Sequence, residues 1–464
     1  MKDAALFRAA LPAGATRARP LRLALSSMSL ALLANAPGAS AATEQTLYAF
    51  SSSGAAGCYP AGTLLRDETG ALYGATLLCG GYNGGTVFRL KPPSPGGTRW
   101  TISLLHTFTG GNDGNWPEAN LVMDASGALY GTTLLGGRNL EGVVYKLTPP
   151  LPGGTKWTES VLHAFHHNFA TGDRDGDGPG AGLLMDGSGA LYGTTLVGGN
   201  PSASGVGFGT VFKLTPPGPG QTTWTETVLY RFAGGSDGEN PASTLVADST
   251  GALYGTTLYG GRGTCTDDFE VVVGCGTIFK LTPPAPGYKA WKKATLHRFT
   301  GGTDGGSPRG ALLLDSSGAL YGATLQGGTG KCTGGIPATV IGCGMVFKLT
   351  PPQPGQTAWK ETVLHSFQGP DGAFPLGGVT KDAAGNLYGT ASGGGQYGDG
   401  LAFKLTPPLP GETRWRQTVF HQFNISTSGD GPIGELVADA GGNLFGVASS
   451  GGADLSGTVF KTAP

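Results

Sequence analysis

One short motif recurs along almost the whole of this 464-residue chain. It reads GALYGATL from Gly70 and returns six more times in related forms, the last being GNLFGVAS from Gly442. Aligned on the aromatic residue of the motif, successive copies lie 57 to 67 residues apart. Such a period means that one supersecondary unit is repeated, so the architecture follows from what that unit is and how its copies stack.

Each unit has the pattern of four short β-strands. The first follows a proline, contains a small residue, and ends at an aspartate, as from Pro60 to Asp67. An Asp-x-x-Gly hairpin turn leads to the second strand, LYGTT, and the third strand reads GTVFKL. A proline-rich turn precedes the fourth, which opens on Trp and ends in Leu-His-x-Phe or a close variant. No segment has the apolar period of a helix, so we expect an all-β protein.

The two ends of the chain complement each other. Thr46–Phe50 matches a fourth strand, whereas Gly457–Lys461, near the end, matches a third. The N-terminal strand would therefore complete the last unit, which predicts a seven-bladed β-propeller of four-stranded blades. Closing the ring removes exposed sheet edges. A linear β-solenoid is the alternative, but it gives no reason for the divided last unit.

The recurring segments resemble the GloVer-type tandem-repeat family of exported bacterial proteins. The residues that carry the resemblance are LYGTT, the Gly-Gly after it, and GTVFKLTP, and they cover nearly all of residues 43–464. The resemblance implies an exported repeat protein, and it brings no established activity.

The first 41 residues differ in composition from the rest. A basic stretch from Lys2 to Arg22 precedes the apolar run Leu23–Ala36 and the small residues Ala39–Ala41. This pattern predicts a signal peptide over 1–41, a single propeller domain over 42–464, and a secreted or periplasmic protein. A transmembrane anchor is the alternative, but the run is short for a bilayer, and no later segment would span one. Without the leader, 25 basic and 30 acidic residues leave a charge of −5, which disfavours nucleic-acid binding.

The chain contains six cysteines, an even number that suits an exported protein. The repeat register places them in loops on one face, the face formed by the connections into the first strands and between the second and third strands. Two of the expected bridges brace long insertions. We expect three disulfides: Cys58–Cys79, Cys265–Cys275 and Cys332–Cys343.

The segment GDRDGDG, Gly172 to Gly178, is a candidate calcium loop. Asp173, Asp175 and Asp177 alternate as the ligands at the start of such a loop do, but its twelfth position is a leucine instead of glutamate. A solvated acidic turn is the alternative, since Asp-Gly occurs here in six units, with Asp177 as the copy in this one. Calcium is therefore the one candidate cofactor.

Five histidines share one repeat position on the outermost strand, and tyrosine takes the other two places. Substitution by tyrosine and the distance between copies favour a packing role over a metal site. Two further histidines, His166 and His167, lie beside the acidic segment. The repeat position is occupied by His106, His163, His297, His365 and His421, with Tyr48 and Tyr230 in the remaining units.

No nucleophile elbow, zinc pair or phosphate loop is present, and the channel-facing positions offer few polar groups. These positions are Thr63, Asn120, Gly182, Thr244, Ala311, Gly378 and Glu435, with Glu118 and Arg309 nearby. We expect a non-enzymatic propeller that binds an extracellular glycan or envelope protein on its loop-insertion face. A metal-dependent lyase or hydrolase and a protein-interaction scaffold are the alternatives. The candidate binding residues are Tyr82, Trp116, His166, His167, Tyr259, Asp267, Asp268, Glu270 and Arg309.

Overall fold

The computed structural model describes residues 44–464 except residue 53 and the segments 167–174, 201–205, 267–270 and 335–338. The predicted leader lies outside these residues. The described chain is built of short strands, with one 3-10 turn at Gly235–Asp237. No helix in the described part is long and apolar enough to cross a membrane.

Seven four-stranded antiparallel sheets form the blades of a β-propeller, which confirms the predicted fold class. Within each blade the strands pair in order from the first to the fourth. Blade 1 contains β2 (Cys58–Arg66), β3 (Leu72–Leu78), β4 (Thr86–Lys91) and β5 (Thr101–Thr107). Blade 2 contains β6 (Val122–Met123), β7 (Leu129–Thr133), β8 (Val143–Thr148) and β9 (Thr158–Ala164). Blade 3 contains β10 (Leu184–Met185), β11 (Leu191–Thr195), β12 (Thr210–Thr215) and β13 (Thr225–Arg231).

The remaining blades follow the same order. Blade 4 contains β14 (Val246–Ala247), β15 (Leu253–Thr257), β16 (Thr277–Thr282) and β17 (Lys292–Arg298). Blade 5 contains β18 (Leu313–Leu314), β19 (Leu320–Thr324), β22 (Met345–Thr350) and β23 (Lys360–Ser366), and its insertion forms the small pair β20 (Thr333–Gly334) and β21 (Thr339–Val340). Blade 6 contains β24 (Thr380–Lys381), β25 (Leu387–Ala391), β26 (Leu401–Thr406) and β27 (Arg416–Gln422). Blade 7 contains β28 (Asp430–Ala438), β29 (Leu444–Ser450), β30 (Thr458–Thr462) and, as its outer strand, β1 (Gln45–Ala49).

The N-terminal strand closes the ring, as the sequence predicts. β1 runs antiparallel to β30, with Thr46 opposite Phe460 and Ala49 opposite Thr458. The outward edge of β30 is thereby paired, and β1 becomes the outer strand of the blade. The first and last residues of the described chain thus belong to one blade.

The inner strands differ in one respect from the expectation. In blades 2 to 6 the first strand pairs over two residues next to its aspartate, as Val122 and Met123 do in blade 2. Its other end makes a single bridge, such as Asn115 to Leu135. Between these points the backbones crowd around the axis: a Cβ added to Gly377 would lie 2.1 Å from the carbonyl oxygen of Gly434. Small residues are therefore required there, as the sequence indicates.

The Asp-x-x-Gly hairpins have the predicted turn chemistry. In blade 1 the Oδ1 atom of Asp67 accepts hydrogen bonds from the backbone N–H groups of Thr69 and Ala71, each at 2.9 Å. Gly70 takes a positive φ of 83°. The Tyr73 hydroxyl donates to the second carboxylate oxygen at 3.0 Å, and equivalent bonds recur in blades 2 to 6. The motif that dominates the sequence is therefore a structural hairpin.

Neighbouring blades are held together by one repeated aromatic contact. The phenylalanine that ends each fourth strand packs edge-to-face on the third strand of the next blade, with ring centroids 4.9 to 5.4 Å apart. Such pairs contribute about 0.5–1.5 kcal/mol beyond their apolar burial. The pairs are Phe50–Phe88, Phe108–Tyr145, Phe165–Phe212, Phe232–Phe279, Phe299–Phe347, Phe367–Phe403 and Phe423–Phe460.

The antiparallel order gives the ring two different faces. The Asp-x-x-Gly hairpins and the proline-rich turns lie together on what we call the turn face. The connections between blades and the loops from second to third strands form the loop face. The turn face repeats almost unchanged in sequence, whereas the loop face carries the insertions and the cysteines. Position-specific chemistry is therefore concentrated on the loop face.

Candidate functional site

The three predicted disulfides are confirmed. Cys58, the first residue of β2, is bonded to Cys79, and the other two bridges close the insertions of blades 4 and 5. The Cys265–Cys275 bridge also supports the next connection, because a Cβ added to Gly301 would lie 2.7 Å from the Cys265 sulfur. Disulfides of this kind persist in oxidising compartments.

A cleft of about 310 Å³ opens to solvent on the loop face, beside the disulfide-closed insertion of blade 4. Its polar side chains are Glu239, from the connection between β13 and β14, and Arg262, which follows β15. The backbone of five glycines and the residues Val272 and Val273 complete the lining. The glycines keep the walls open, so that main-chain groups line the cleft.

Short backbone hydrogen bonds hold these residues in place. Glu239 and Tyr259 exchange two of them, at 3.1 and 3.2 Å, which ties the connection to the end of β15. Gly260 donates to the Val273 carbonyl at 2.7 Å, and Val273 donates to that of Cys265 at 3.0 Å. Burial raises the pKa of Glu239. The cleft thus offers a carboxyl group and a permanently charged guanidinium on a braced frame.

The structure separates the predicted binding residues into several places. Tyr259 is half-buried next to the cleft, and its predicted neighbours Asp267, Asp268 and Glu270 lie outside the described residues. Tyr82 is 69% exposed at the border of blades 1 and 2. The half-buried Trp116 lies at the same border, where its backbone N–H donates to the Gly84 carbonyl at 3.1 Å. Sequence reasoning missed Glu239 and Arg262, which no repeated pattern marks.

Arg309 is not among the residues that line the cleft, and it precedes Gly310, whose backbone packs closely against Gly377 of the next blade. Its charge acts on Glu118, whose pKa is raised by burial and lowered in part by this guanidinium. The two residues therefore form an electrostatic pair between blades 2 and 5. They belong to the channel mouth.

Hydrogen bonds link several of the channel-facing residues. The Thr63 N–H donates to Asn120 Oδ1 at 2.6 Å, and the Glu435 N–H donates to Thr63 Oγ1 at 2.9 Å. Asn120 Nδ2 reaches Thr244 Oγ1 at 3.4 Å. Burial raises the pKa of Glu435 to about 7. None of the histidines that the structure describes lies at the axis, so that part of the channel lacks the His–Glu pair of a metal-dependent lyase.

The candidate calcium loop has a different repeat register from the expected one. Asp175-Gly176, and not the predicted Asp177-Gly178, occupies the repeat position: a Cβ on Gly176 would lie 2.4 Å from Thr195, as one on Gly114 would lie 2.5 Å from Thr133. Ser428-Gly429 likewise takes this place in blade 7, ahead of Asp430. The extra residues of the blade 3 connection displaced the alignment.

Asp175 is already engaged by protein groups. Its Oδ2 atom lies 2.8 Å from His163 Nε2, and its Oδ1 atom accepts the backbone N–H of His166 at 2.8 Å. Asp177 bridges to Val197 through the backbone. Asp173 and His167 lie outside the described residues, and calcium binding here stays a prediction.

The repeated histidines lie at what we call the interblade junctions. Five of the seven junctions combine the His or Tyr of one outer strand, an aspartate of the following connection, and a side chain from the next outer strand. Ser428 and Ala56 take the place of the aspartate in the other two. The first two groups are joined in His106–Asp113 at 3.4 Å, His163–Asp175 at 2.8 Å, Tyr230–Asp237 at 2.9 Å, His297–Asp304 at 3.8 Å and His365–Asp371 at 3.0 Å. The third side chain is Glu159, Glu226, Lys293, Glu361 and Gln417, respectively, in these five junctions.

The repeated histidines therefore do more than fill space between blades, because four of them also lie beside an aspartate. The acids were missed because they lie in other parts of the repeat. The residue four positions before the histidine or tyrosine is nevertheless Glu, Lys or Gln in every blade except blade 1, where it is Ile102. Burial, and behind it the charge of Asp113, raises the pKa of Glu159 to about 7. Burial and Asp304 raise the pKa of Glu361 to about 8. Two carboxyl groups therefore compete for one proton at these junctions.

The repeat matches the model of one known protein family. The model of the Gloeobacter/Verrucomicrobia repeat matches residues 37–269 and 337–464. The chain belongs to this family. The match covers most of both halves of the ring and agrees with the resemblance seen in the LYGTT and GTVFKLTP segments. No curated protein matches the chain.

Solved structures resemble the chain in fold. A carbohydrate-active enzyme of family AA12 from Trichoderma reesei is 16% identical, with a TM-score of 0.41, over 91% of this chain and 96% of that one. A glucose dehydrogenase-type putative oxidoreductase from Thermus thermophilus is 15% identical, with a TM-score of 0.40, over 75% and 96%. A puromycin-hydrolyzing peptidase from Mycobacterium tuberculosis is 10% identical, with a TM-score of 0.49, over 88% and 52%. At this distance the similarities carry no information on activity.

Proposed function

We propose that this protein is an exported, non-enzymatic β-propeller that binds a carbohydrate in the cleft between Glu239 and Arg262. The cleft of about 310 Å³ on the loop face is the observation that carries the proposal. Its size is at the lower end of the range for small-molecule sites, which suits one or two sugar residues. Because it opens to solvent, a longer glycan extends beyond it.

The chemistry of the lining favours a hydroxylated ligand. A sugar hydroxyl both donates and accepts hydrogen bonds, and the cleft offers the acceptor oxygens of Glu239 and the five donors of Arg262. Val272 is 62% exposed and supplies an apolar surface for one face of a sugar ring. A lipid or a nucleobase would need more apolar or aromatic lining.

Export is part of the proposal. The three disulfides fit an oxidising compartment, and the leader pattern over residues 1–41 predicts secretion. Family membership agrees with the resemblance to exported repeat proteins. An axial lyase or hydrolase is not favoured, because the channel-facing side chains of Thr63, Asn120 and Thr244 are already engaged in hydrogen bonds within the protein.

A protein-interaction scaffold is the second candidate. Blades 1, 2, 4, 5, 6 and 7 each present an exposed apolar side chain in the loop between their second and third strands. Exposed apolar surface of this kind marks protein-binding faces when it is contiguous. These side chains are Tyr82, Leu140, Val272, Val340, Tyr397 and Leu455.

A binding experiment on the exported, disulfide-bonded chain tests the first proposal. Purified polysaccharides are screened, and the best is titrated calorimetrically against wild type, Glu239→Gln and Arg262→Gln. We expect each substitution to weaken binding at least about tenfold, since each removes charge-assisted hydrogen bonds.

Glu412→Gln and Arg416→Gln are the matched controls, because these residues form an exposed ion pair on the turn face at 3.3 Å. Both should bind as wild type does. Saturable binding that ignores the cleft variants would place the ligand elsewhere. Absence of any glycan binding would leave the scaffold as the better account.

A further inference from the structure

One interblade junction of the described chain brings a histidine, an aspartate and a glutamate close enough together for a metal site. At the border of blades 4 and 5, His297 Nε2 lies 3.8 Å from Asp304 Oδ2 and 3.8 Å from Glu361 Oε2. The three ligand atoms all lie within 4.8 Å of one another. The three side chains come from β17, the following connection and β23, so the ring itself brings them together.

These distances are too long for hydrogen bonds but suit a shared ion. Ligands about 2.0–2.2 Å from a tetrahedral ion lie roughly 3.3–3.6 Å apart, close to the observed separations. His297 Nε2 and Glu361 Oε1 are buried from solvent without a hydrogen-bond partner. Within the described chain neither Asp304 nor Glu361 is paired with a lysine or arginine. Buried groups of this kind are normally satisfied, and an ion shared by the three side chains would satisfy both.

The neighbouring junction shows where such a cation lies. Between blades 3 and 4, Lys293 takes the place of Glu361, and its Nζ atom lies 2.8 Å from Asp237 Oδ1. The Tyr230 hydroxyl donates to the same oxygen at 2.9 Å, and the lysine side chain is 4% exposed. The same backbone therefore encloses a positive charge supplied by the chain. At the next junction that charge is replaced by a third ligand.

We propose that His297, Asp304 and Glu361 bind a divalent transition-metal ion, with zinc as the best match. One imidazole and two carboxylates suit zinc, whereas calcium takes six to eight oxygen ligands. Three protein ligands leave a fourth position for water or an external ligand. Thr300 orients Asp304, donating to its carboxylate from the backbone N–H at 3.1 Å and from Oγ1 at 2.5 Å. Such outer contacts typically support metal ligands.

The other junctions set the expected stoichiometry. His163 Nε2 and Asp175 Oδ2 lie 2.8 Å apart and already share a hydrogen bond, which leaves no space for an ion between them. Gln417 replaces the glutamate beside His365, and its amide donates to the Asp371 carbonyl at 2.7 Å. His106, Asp113 and Glu159 repeat the residue types at the border of blades 1 and 2, but among the described residues only His297, Asp304 and Glu361 bring one ligand atom each within 4.8 Å of one another. We therefore expect one tight zinc site per chain.

Zinc titration of the exported chain, produced without a polyhistidine tag, tests the proposal. After treatment with chelator, competition with a chromophoric chelator should report one equivalent of zinc, and zinc should raise the melting temperature. Glu361→Gln should weaken zinc binding at least about a hundredfold, since it removes an anionic ligand. Glu159→Gln, at the equivalent position of blade 2, is the control and should leave it unchanged.

A pair of junction exchanges keeps the test independent of folding defects. His297→Tyr with Glu361→Lys gives this junction the residues of its neighbour, and it should fold normally and bind no zinc. Tyr230→His with Lys293→Glu is the reverse exchange and should add a second equivalent. Wild-type zinc binding that survives the first exchange, or its absence in wild type, would overturn the proposal.

Discussion

The junctions on the two sides of blade 4 share one backbone and differ in charge. At Tyr230, Asp237 and Lys293 the chain supplies its own cation, and the ammonium also donates to the Asp237 carbonyl oxygen. At His297, Asp304 and Glu361 the same frame holds two carboxyl groups and an imidazole. The repeated backbone thus keeps its geometry, and differences at two positions separate a structural ion pair from a candidate binding site.

The junction of Tyr230, Asp237 and Lys293, which we call the closed junction, also supports the cleft. The connection that carries Asp237 carries Glu239 two residues later, and Arg298 donates to the Ser236 carbonyl of the same segment at 3.2 Å. Lys293 therefore holds the segment that presents the proposed carbohydrate-binding carboxyl group. The Cys265–Cys275 bridge instead packs against the connection that carries Asp304. The two segments are held by different means, which the following experiments separate.

The largest effect should be the same at both junctions. Phe232→Ala and Phe299→Ala each remove a fully buried ring from an interblade pair, and we expect each to lower the free energy of unfolding by about 3–5 kcal/mol. Denaturant titration measures it. The comparison fails if the two losses differ by more than about 1 kcal/mol, because the junctions would then not share a common core.

The charged groups should distinguish the junctions. Lys293→Met leaves Asp237 without its partner and should cost about 2 kcal/mol, reduced from the cost of a fully buried pair because the carboxylate is partly exposed. Glu361→Gln, measured in chelator, should change stability by less than about 1 kcal/mol, since the amide replaces a carboxyl whose pKa of about 8 keeps it mostly protonated. Equal losses of stability in Lys293→Met and Glu361→Gln would contradict the proposed difference between the two junctions.

The affinity for the proposed glycan should fall when the closed junction is altered and stay unchanged when the junction at Glu361 is altered. Lys293→Met should weaken binding of the proposed glycan about three- to tenfold, because the segment with Glu239 loses its anchor. Glu361→Gln should leave the affinity unchanged. Calorimetric titration of both variants with one polysaccharide measures the two affinities. If only Glu361→Gln weakened binding, the claim that Lys293 positions the cleft would be wrong.

The acid-bearing junctions should also differ from the lysine junction in pH dependence. The pKa of Glu159 rises from 4.5 to about 7 on folding, so its ionisation opposes folding. Its destabilising effect is absent below about pH 4.5 and grows as the pH rises towards 7. In chelator, Glu159→Gln should flatten the fall in melting temperature over this interval. Parallel profiles for wild type and variant would contradict the assignment.

The fold was predictable because its signals repeat. The hairpin aspartates, the small residues at the axis and the divided last blade each define the ring, and the register of the loops also gives the cysteine pairs. The channel residues Thr63, Asn120 and Glu435 were identified as inward-facing for the same reason. Periodicity reports what every blade shares.

The sites were less predictable because they depend on differences between blades. Glu239 and Arg262 each occur once in an irregular loop, and their proximity follows from the closed insertion of blade 4. Asp177 was assigned to the repeat position that Asp175 occupies, because the connection of blade 3 is longer than in other blades. The ligand set of His297 comes from three separate segments, which a scan for closely spaced ligands does not detect.

The claim is that one backbone frame carries different chemistry at its two junctions. Anomalous diffraction at the zinc edge, from crystals of the disulfide-bonded chain grown with zinc, tests it most directly. The account predicts a single strong peak between His297, Asp304 and Glu361, and no peak beside Asp237, where Lys293 Nζ occupies the site. A peak at both junctions, or none between His297 and Glu361, would contradict it.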